Sequence, residues 1–272
     1  MNGYHPEAAG ERRGVILVAF TCGWITLPTS FFFAGETGHI TAPATVFLID
    51  HPAGRALFDT GFGPRFQRPA GTPANDRVDL EQGSDIGARL QAIGVDPASI
   101  RWIINSHLHT DHAGGNLHLP NATVVIQDEE WDYARAGVDR AYHIPEFDLG
   151  QPVKRVRGEH DLYGDGTVML FPTTGHTPGH QSARVRTTGG DVVLAADCCN
   201  LRRSLDEMRL PDHCFNAEQY IRTLRQLKTL RDAGVRIFYG HDPEFWTDVP
   251  QGVPLDGAVG AIRPEETSEA ER

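Results

Sequence analysis

The feature that most constrains this chain is a dense group of metal-ligating side chains in one short loop. Residues 106–116 read Ser-His-Leu-His-Thr-Asp-His-Ala-Gly-Gly-Asn and follow an apolar run typical of a strand. Imidazole nitrogens and carboxylate oxygens suit zinc and the metals close to it. His107, His109, Asp111 and His112 lie within six positions, and four ligands so close together can hardly all point one way. The loop therefore predicts ligands for two metal ions rather than one.

Three further candidate ligands each follow a predicted strand later in the chain. His176 lies in residues 175–180, Gly-His-Thr-Pro-Gly-His, where two glycines and a proline indicate a tight turn. Asp197 follows five apolar residues, where an unpaired carboxylate is costly to bury unless a metal or another cation faces it. His241 follows a last predicted strand. Because loops at one edge of a sheet sandwich can surround a common point, we expect these residues to meet the first loop.

Length and composition predict one large α/β domain. The chain has 272 residues and 40% hydrophobic content, enough to bury a substantial core. We expect a polar N-terminal segment at 1–14, a single α/β domain at 15–250, and a polar, loosely ordered tail at 251–272. A net charge of -11 without clustered Lys or Arg argues against nucleic-acid binding.

Apolar runs and cysteines predict the compartment. The apolar run after the N-terminal segment is too short for a signal peptide or a membrane span, so we expect a cytoplasmic protein without membrane contact. Cys22, Cys198, Cys199 and Cys214 show no CxxC spacing, and we interpret all four as thiols.

Hydrophobic periodicity predicts alternating strands and helices. The predicted strands cover 15–20, 45–49, 56–58, 102–105, 123–126, 153–157, 168–171, 182–186, 192–196 and 235–239, and the predicted helices cover 86–93, 129–136 and 217–233. Ser84 is the expected N-cap of the first helix and Asn216 of the last. Residues 64–84 are rich in Pro, Gly, Asn and Asp and predict a loop.

These segments together resemble the metallo-β-lactamase superfamily over about residues 15–245. Within it, His-Leu-His-Thr-Asp-His-Ala-Gly-Gly-Asn, Gly-His-Thr-Pro-Gly-His-Gln-Ser and Gly-His-Asp are most similar to the N-acyl-homoserine lactone lactonases. The resemblance implies an αββα sandwich, two mixed β-sheets flanked by helices, with two divalent metal ions at one edge. It assigns His107, His109 and His176 to the first metal, Asp111, His112 and His241 to the second, and Asp197 to both. Zinc is the expected metal, with iron, manganese and cobalt as alternatives.

The implied chemistry is lactone ring opening, with N-acyl-homoserine lactone as the expected substrate, by attack of a metal-bridging hydroxide. Asp111 or Asp197 would pass a proton to the leaving ring oxygen. A small-molecule lactone or ester is thus the expected partner, and the resemblance favours a homodimer.

Asn200 departs from the lactonase pattern. Those enzymes commonly carry a tyrosine three residues after the bridging aspartate, and this chain has asparagine there. Its amide could act in catalysis by stabilising an oxyanion, or Asn200 could only end a strand. The change leaves another lactone, another ester or a β-lactam open as substrate.

Other interpretations remain at this point. A glyoxalase II-like thioesterase would need basic residues that the acidic C-terminal region does not offer. A flavo-diiron enzyme would need a flavin domain, and a non-catalytic module usually lacks some of the ligands.

Several single residues also have two interpretations. Asp59 is either a turn residue or a carboxylate beside a ligating histidine, and His180 could hold the His176 turn in place. The aromatic residues Trp24, Phe31, Phe32 and Phe33 indicate either core or an acyl pocket.

Overall fold

Two mixed sheets form the centre of the fold in the computed structural model, which describes residues 14–74 and 77–255. The first sheet contains β1 (Ile16–Pro28), β2 (His39–His51), β3 (Gly54–Phe58), β4 (Gln67–Arg68), β5 (Val78–Glu81), β6 (Ile100–Ile104), β7 (Thr123–Gln127) and β8 (Val153–Val156). The second contains β9 (His160–Asp161), β10 (Val168–Pro172), β11 (Gln181–Thr187), β12 (Gly190–Ala196) and β13 (Arg236–Tyr239).

Strand order places long antiparallel strands beside a parallel set. The first sheet runs β4-β5-β1-β2-β3-β6-β7-β8, with β1, β2 and β3 antiparallel and β3, β6, β7 and β8 parallel. The second runs β13-β12-β11-β10-β9, and β12 with β13 is its parallel pair. The parallel strands of each sheet end at the same edge, which is where the candidate ligands follow.

The alternation of side chains along the strands explains the layers. In β1, Leu17 and Ala19 join the core between the two sheets, whereas Val18 and Phe20 join the core between the first sheet and its helices. Likewise Leu194 of β12 faces the first sheet, and Val193 packs towards the helices of the second half. The predicted αββα sandwich is confirmed.

The helices are α1 (Ile86–Ala92), α2 (Thr110–Ala113), α3 (Asp128–Arg135), α4 (Ile144–Phe147), α5 (Arg202–Glu207), α6 (Ala217–Asp232) and α7 (Pro243–Thr247). Helices α1 and α3 pack on the outer face of the first sheet and α5 and α6 on that of the second, whereas α7 contributes Trp246 to the core between the sheets. Asn216 caps α6 as predicted, its side chain accepting a hydrogen bond from Gln219 N. The prediction of Ser84 as the cap of α1 is wrong: Asp85 takes that position and accepts from Ala88 N.

Several boundaries differ from the predicted ones. Residues 64–84 are not a plain loop, because they contain β4 and β5, and β5 pairs with β1 at Trp24 and Ile25. At the other end, the amide of Gly252 bonds Ala19 O and the amide of Leu255 bonds Leu17 O, so the chain follows β1 to Leu255.

The predicted terminal segments fall largely outside the described residues. Residues 1–13 of the first and 256–272 of the last are not described. Across 14–74 and 77–255, no helix has the length and apolar character needed to cross a bilayer. Over the same residues, all four cysteines are free thiols, as predicted.

Candidate metal centre

The seven predicted ligands meet at one edge of the sandwich. β6 leads into the loop that carries His107 and His109, β10 precedes His176, β12 ends just before Asp197, and β13 ends just before His241. Their ligating atoms form three overlapping groups in which all atoms lie within 4.8 Å of one another. Strands from both sheets therefore hold one cluster.

The first group consists of three imidazoles. Nδ1 of His109 lies 2.9 Å from Nε2 of His107 and 3.2 Å from Nε2 of His176. All three side chains are largely inaccessible to solvent. Three ring nitrogens that converge on one point in a buried space fit a shared cation, since their lone pairs otherwise oppose one another.

The second group combines two imidazoles and a carboxylate. Oδ2 of Asp111 lies 3.5 Å from Nε2 of both His112 and His241. Nε2 of His112 and Oδ1 of Asp197 are buried 3.1 Å apart, yet neither atom is in hydrogen-bond geometry with any described residue. Buried polar atoms left in this way are costly, and a metal ion between them would satisfy both.

Asp197 lies between the two groups. Its Oδ1 is 3.1 Å from His112 Nε2 and 3.0 Å from His241 Nε2, while its Oδ2 is 3.4 Å from His176 Nε2. Each oxygen therefore faces a different group. The donor set fits two divalent cations with one carboxylate shared between them.

The backbone around Asp197 is unusual. Ala196, the last residue of β12, has a φ of 49°, in the left-handed region that non-glycine residues rarely adopt. The pairing of β12 with β13 also shifts register between Leu194 and Ala196. Such irregularities occur next to active sites, where they redirect a side chain, and here they precede the carboxylate at the centre of the cluster.

Neighbouring groups orient three of the imidazoles through their outer nitrogens. Nδ1 of His112 lies 2.8 Å from Asp59 Oδ2, and Nδ1 of His241 lies 2.8 Å from the carbonyl oxygen of Pro43. Nδ1 of His107 lies 3.0 Å from Ser106 Oγ. A proton on Nδ1 of His112 and His241 leaves the Nε2 lone pair directed into the cluster. Of the two interpretations of Asp59, the contacts favour a buried carboxylate beside a candidate ligand.

Burial and charge divide the histidines into two classes. Burial lowers the pKa of His107, His176 and His109, the last to about 3. Burial also acts to lower the pKa of His112 and His241, but the negative charges led by Asp197 raise both above the ordinary value. The first group is therefore neutral near pH 7, while the second lies in a negative potential that attracts cations.

Asn200 and His180 lie beside the cluster of candidate ligands but belong to none of its three groups. Asn200 is buried, its carboxamide oxygen has no hydrogen-bond partner among the described residues, and its carbonyl accepts from His241 N. His180 is fully buried with Nδ1 2.8 Å from Thr173 Oγ1. Its ring centre is 5.2 Å from that of His107, which places it behind the cluster.

The aromatic residues near the N-terminus divide between core and surface. Phe32 and Phe33 are buried with Leu201, and the Phe32 ring centre is 5.4 Å from that of His241. Trp24 and Phe31 are 36% and 40% exposed. The core interpretation holds for the first pair only.

Sequence reasoning missed two groups that hold the ligands. Pro43 contacts His241 through its backbone carbonyl, which no pattern of side chains in the sequence predicts. Glu130, fully buried, accepts hydrogen bonds from both ligand-bearing turns of the first group. Its sequence context, Asp-Glu-Glu at a helix start, is typical of solvated helix ends, so only its burial distinguishes it.

Comparison with known proteins agrees with this geometry. The family model described as the metallo-beta-lactamase superfamily matches residues 40–241, a range that includes all seven candidate ligands. This chain belongs to the metallo-beta-lactamase superfamily. It is a hydrolase of that superfamily, as are its curated relatives.

The relatives of this superfamily member share most of its length. The chain is 31% identical over 229 residues to the N-acyl homoserine lactonase AttM of Azorhizobium caulinodans, covering 78% of this chain and 86% of that protein. It is 28% identical to the N-acyl homoserine lactonase AiiA of Bacillus thuringiensis subsp. kurstaki, covering 75% and 83%. A solved N-acyl homoserine lactone hydrolase with N-hexanoyl-L-homoserine at its catalytic metal centre has a TM-score of 0.79 at 25% identity, covering 88% and 98%.

Proposed function

We propose that this enzyme hydrolyses N-acyl homoserine lactones to the ring-opened acids, using two divalent metal ions. The observation that carries the proposal is the position of Asp197, whose two oxygens face two separate groups of ligands. The relatives that share this scaffold over most of their length are named as N-acyl homoserine lactonases.

The ligands divide as the geometry suggests. His107, His109 and His176 would hold one ion, Asp111, His112 and His241 the other, and Asp197 both. When bound, the ions would supply a hydroxide near neutral pH and polarise the lactone carbonyl. That chemistry needs no Ser or Cys nucleophile, and the buried thiols of Cys198 and Cys199, whose pKa burial raises, are unsuited to such a role.

Carboxylates of the chain are available for proton transfer. Asp111 is partly exposed, with 14% of its side chain accessible, and lies beside both second-group imidazoles. When the acyl bond to the ring oxygen breaks, that oxygen needs a proton, and the carboxylate of Asp111 or Asp197 would take up the proton lost by the attacking water and pass it to that oxygen. The amide of the buried Asn200 would donate a hydrogen bond to the oxyanion that develops at the substrate carbonyl.

A panel of substrates tests the proposal. Proton release is measured with N-hexanoyl and N-decanoyl homoserine lactone, a glutathione thioester and a β-lactam, each with a chelated sample as the control. We expect turnover of the lactones that disappears in the chelated sample and in Asp197→Ala. Cleavage of the thioester or β-lactam without lactone hydrolysis would contradict the proposal and move the enzyme to another branch of its superfamily.

Two further points stay predictions. Zinc is the proposed metal, and elemental analysis of protein purified without added metal tests it. The proposed homodimer is tested by light scattering at several protein concentrations.

A further inference from the structure

We propose that Glu130 is a positioning residue that ties the two separate chain segments of the first metal group to each other and thereby sets the affinity of that one metal. The proposal rests on the ligand assignment of the proposed function. It concerns a residue that binds neither metal nor substrate itself.

Four hydrogen bonds converge on this carboxylate. Oε1 of Glu130 accepts from Leu108 N at 3.1 Å and from the Tyr142 hydroxyl at 2.8 Å. Oε2 accepts from the Thr177 hydroxyl at 2.6 Å and from Gly179 N at 3.2 Å. Leu108 stands between the ligands His107 and His109, and Thr177 directly follows His176. One side chain therefore fixes both segments that must meet at the first metal.

The close approach of the His176 turn to the start of α3 requires a residue without a side chain at position 179. A Cβ atom at Gly179 would lie 2.2 Å from the backbone nitrogen of Glu130, closer than any real contact. Glycine at this position lets the His176 turn pack directly against the start of α3. The hydrogen bonds at Glu130 are therefore part of a close backbone contact.

The geometry requires both oxygens of Glu130 to accept hydrogen bonds. The side chain of Glu130 is fully buried, and none of its four partners carries a positive charge. Burial raises its pKa, and the four hydrogen bonds act in the opposite direction. Two partners are backbone N–H groups that can only donate. In Glu130→Gln, the side-chain NH₂ would face one of these two backbone N–H groups in either orientation of the amide, and that hydrogen bond would be lost.

Tyr142 extends the same arrangement to a ligand ring. While its hydroxyl donates to Glu130, its ring centre lies 4.6 Å from that of His109. The backbone of Thr110 also bonds Ala141 O, which holds the two segments side by side. Glu130 thus acts on His109 from two directions.

Asp59 provides a comparison on the other metal. It accepts from His112 Nδ1 and from Ser106 N and Oγ, and among the described residues it has no such bond to the His176 turn. Because Ser106 Oγ also lies 3.0 Å from Nδ1 of His107, Asp59 contacts ligands of both groups, whereas Glu130 contacts segments of the first group alone. Removing Asp59 should therefore weaken the second ion through His112 and the first through His107, and removing Glu130 should weaken only the first.

The test measures metal affinity rather than activity. Zn²⁺ is titrated into metal-free Glu130→Gln, Asp59→Asn and wild-type enzyme against a chromophoric chelator. We expect Glu130→Gln to weaken one of the two ions by about 10–100-fold, the usual effect of losing such a supporting group, and to leave the other unchanged. The exposed neighbour Glu129→Gln on the same helix is the matched control and should bind both ions as the wild type does.

Double variants identify which ion is affected. Adding His241→Ala to Glu130→Gln should leave no tightly bound ion, whereas adding His176→Ala should leave one. Equal weakening of both ions, or unchanged binding in a folded Glu130→Gln enzyme, overturns the proposal. If Glu130→Gln does not fold, Thr177→Val provides the test, because it removes one of the four donors. This variant must weaken the first-group ion by a smaller factor. Failure of the proposed function shows separately, as wild-type enzyme that holds fewer than two ions or does not open lactones.

Discussion

Replacing Asp197 by asparagine tests the proposal that one carboxylate is shared by two ions. Asparagine keeps the size and one carbonyl oxygen but removes the charge. Oδ1 of Asp197 faces His112 and His241 at 3.1 and 3.0 Å, and Oδ2 faces His176 at 3.4 Å. Both ions should therefore lose attraction.

The size of the loss follows from Coulomb's law. Two unit charges 4 Å apart attract by about 4 kcal/mol at an effective dielectric constant of about 20. We take this single-charge value as the net effect for a divalent ion, because removing the carboxylate also removes its cost of burial. At about 1.4 kcal/mol per factor of ten, each ion should bind about 10³-fold more weakly.

Chelator competition on metal-free enzyme measures both dissociation constants. Asp132→Asn, which removes an exposed carboxylate that pairs with Arg155, controls for the change in net charge and should bind both ions normally. A variant in which only one of the two affinities falls would show that Asp197 serves a single ion. Unchanged affinities would refute the electrostatic argument altogether.

The remaining predictions concern the same cluster. On acidification the second-group ion should leave first. The raised pKa values of His112 and His241 let protons compete with that ion at higher pH, whereas His109, with a pKa of about 3, stays neutral. Metal content after dialysis at stepwise lower pH gives the order in which the two ions leave. Asn200→Ala should lower kcat and kcat/KM together by about 10²–10³-fold with two ions retained, and a variant that only melts earlier would assign Asn200 to structure. His180→Ala should retain both ions by elemental analysis, while a lost ion would make it a supporting residue.

The sequence predicted to within one residue where the four ligand-preceding strands β6, β10, β12 and β13 end, but not the lengths of β1 and β2. β1 was expected over 15–20 and extends over Ile16–Pro28, since its second part pairs with the beginning of β2. That pairing joins polar and apolar residues alike and depends on the tertiary fold, which periodicity cannot show. For α1, Ser84 and Asp85 are both competent caps, and only the structure decides for Asp85.

The site was predictable where the residue type itself carries chemistry. Imidazoles in tight turns after strands identified His107 and His176 because such ligands have few other reasons to cluster. The supporting groups were not predictable. Pro43 acts through its backbone carbonyl, and Glu130 resembles an ordinary charged residue at a helix start until its burial is known. Support of this kind depends on which segments meet in space.

With metal bound as proposed, the assembly of the cluster from both sheets would link metal supply to the lifetime of the protein. The contact of His241 with the Pro43 carbonyl joins positions 198 apart in the chain, so the binding groups come together only when both halves are docked. An ion that binds the native state alone stabilises it by about 2.7 kcal/mol at a hundred times its dissociation constant. When metal is scarce, more molecules sample open forms that proteases cleave. Cellular abundance of this enzyme would then follow metal availability without any dedicated regulator.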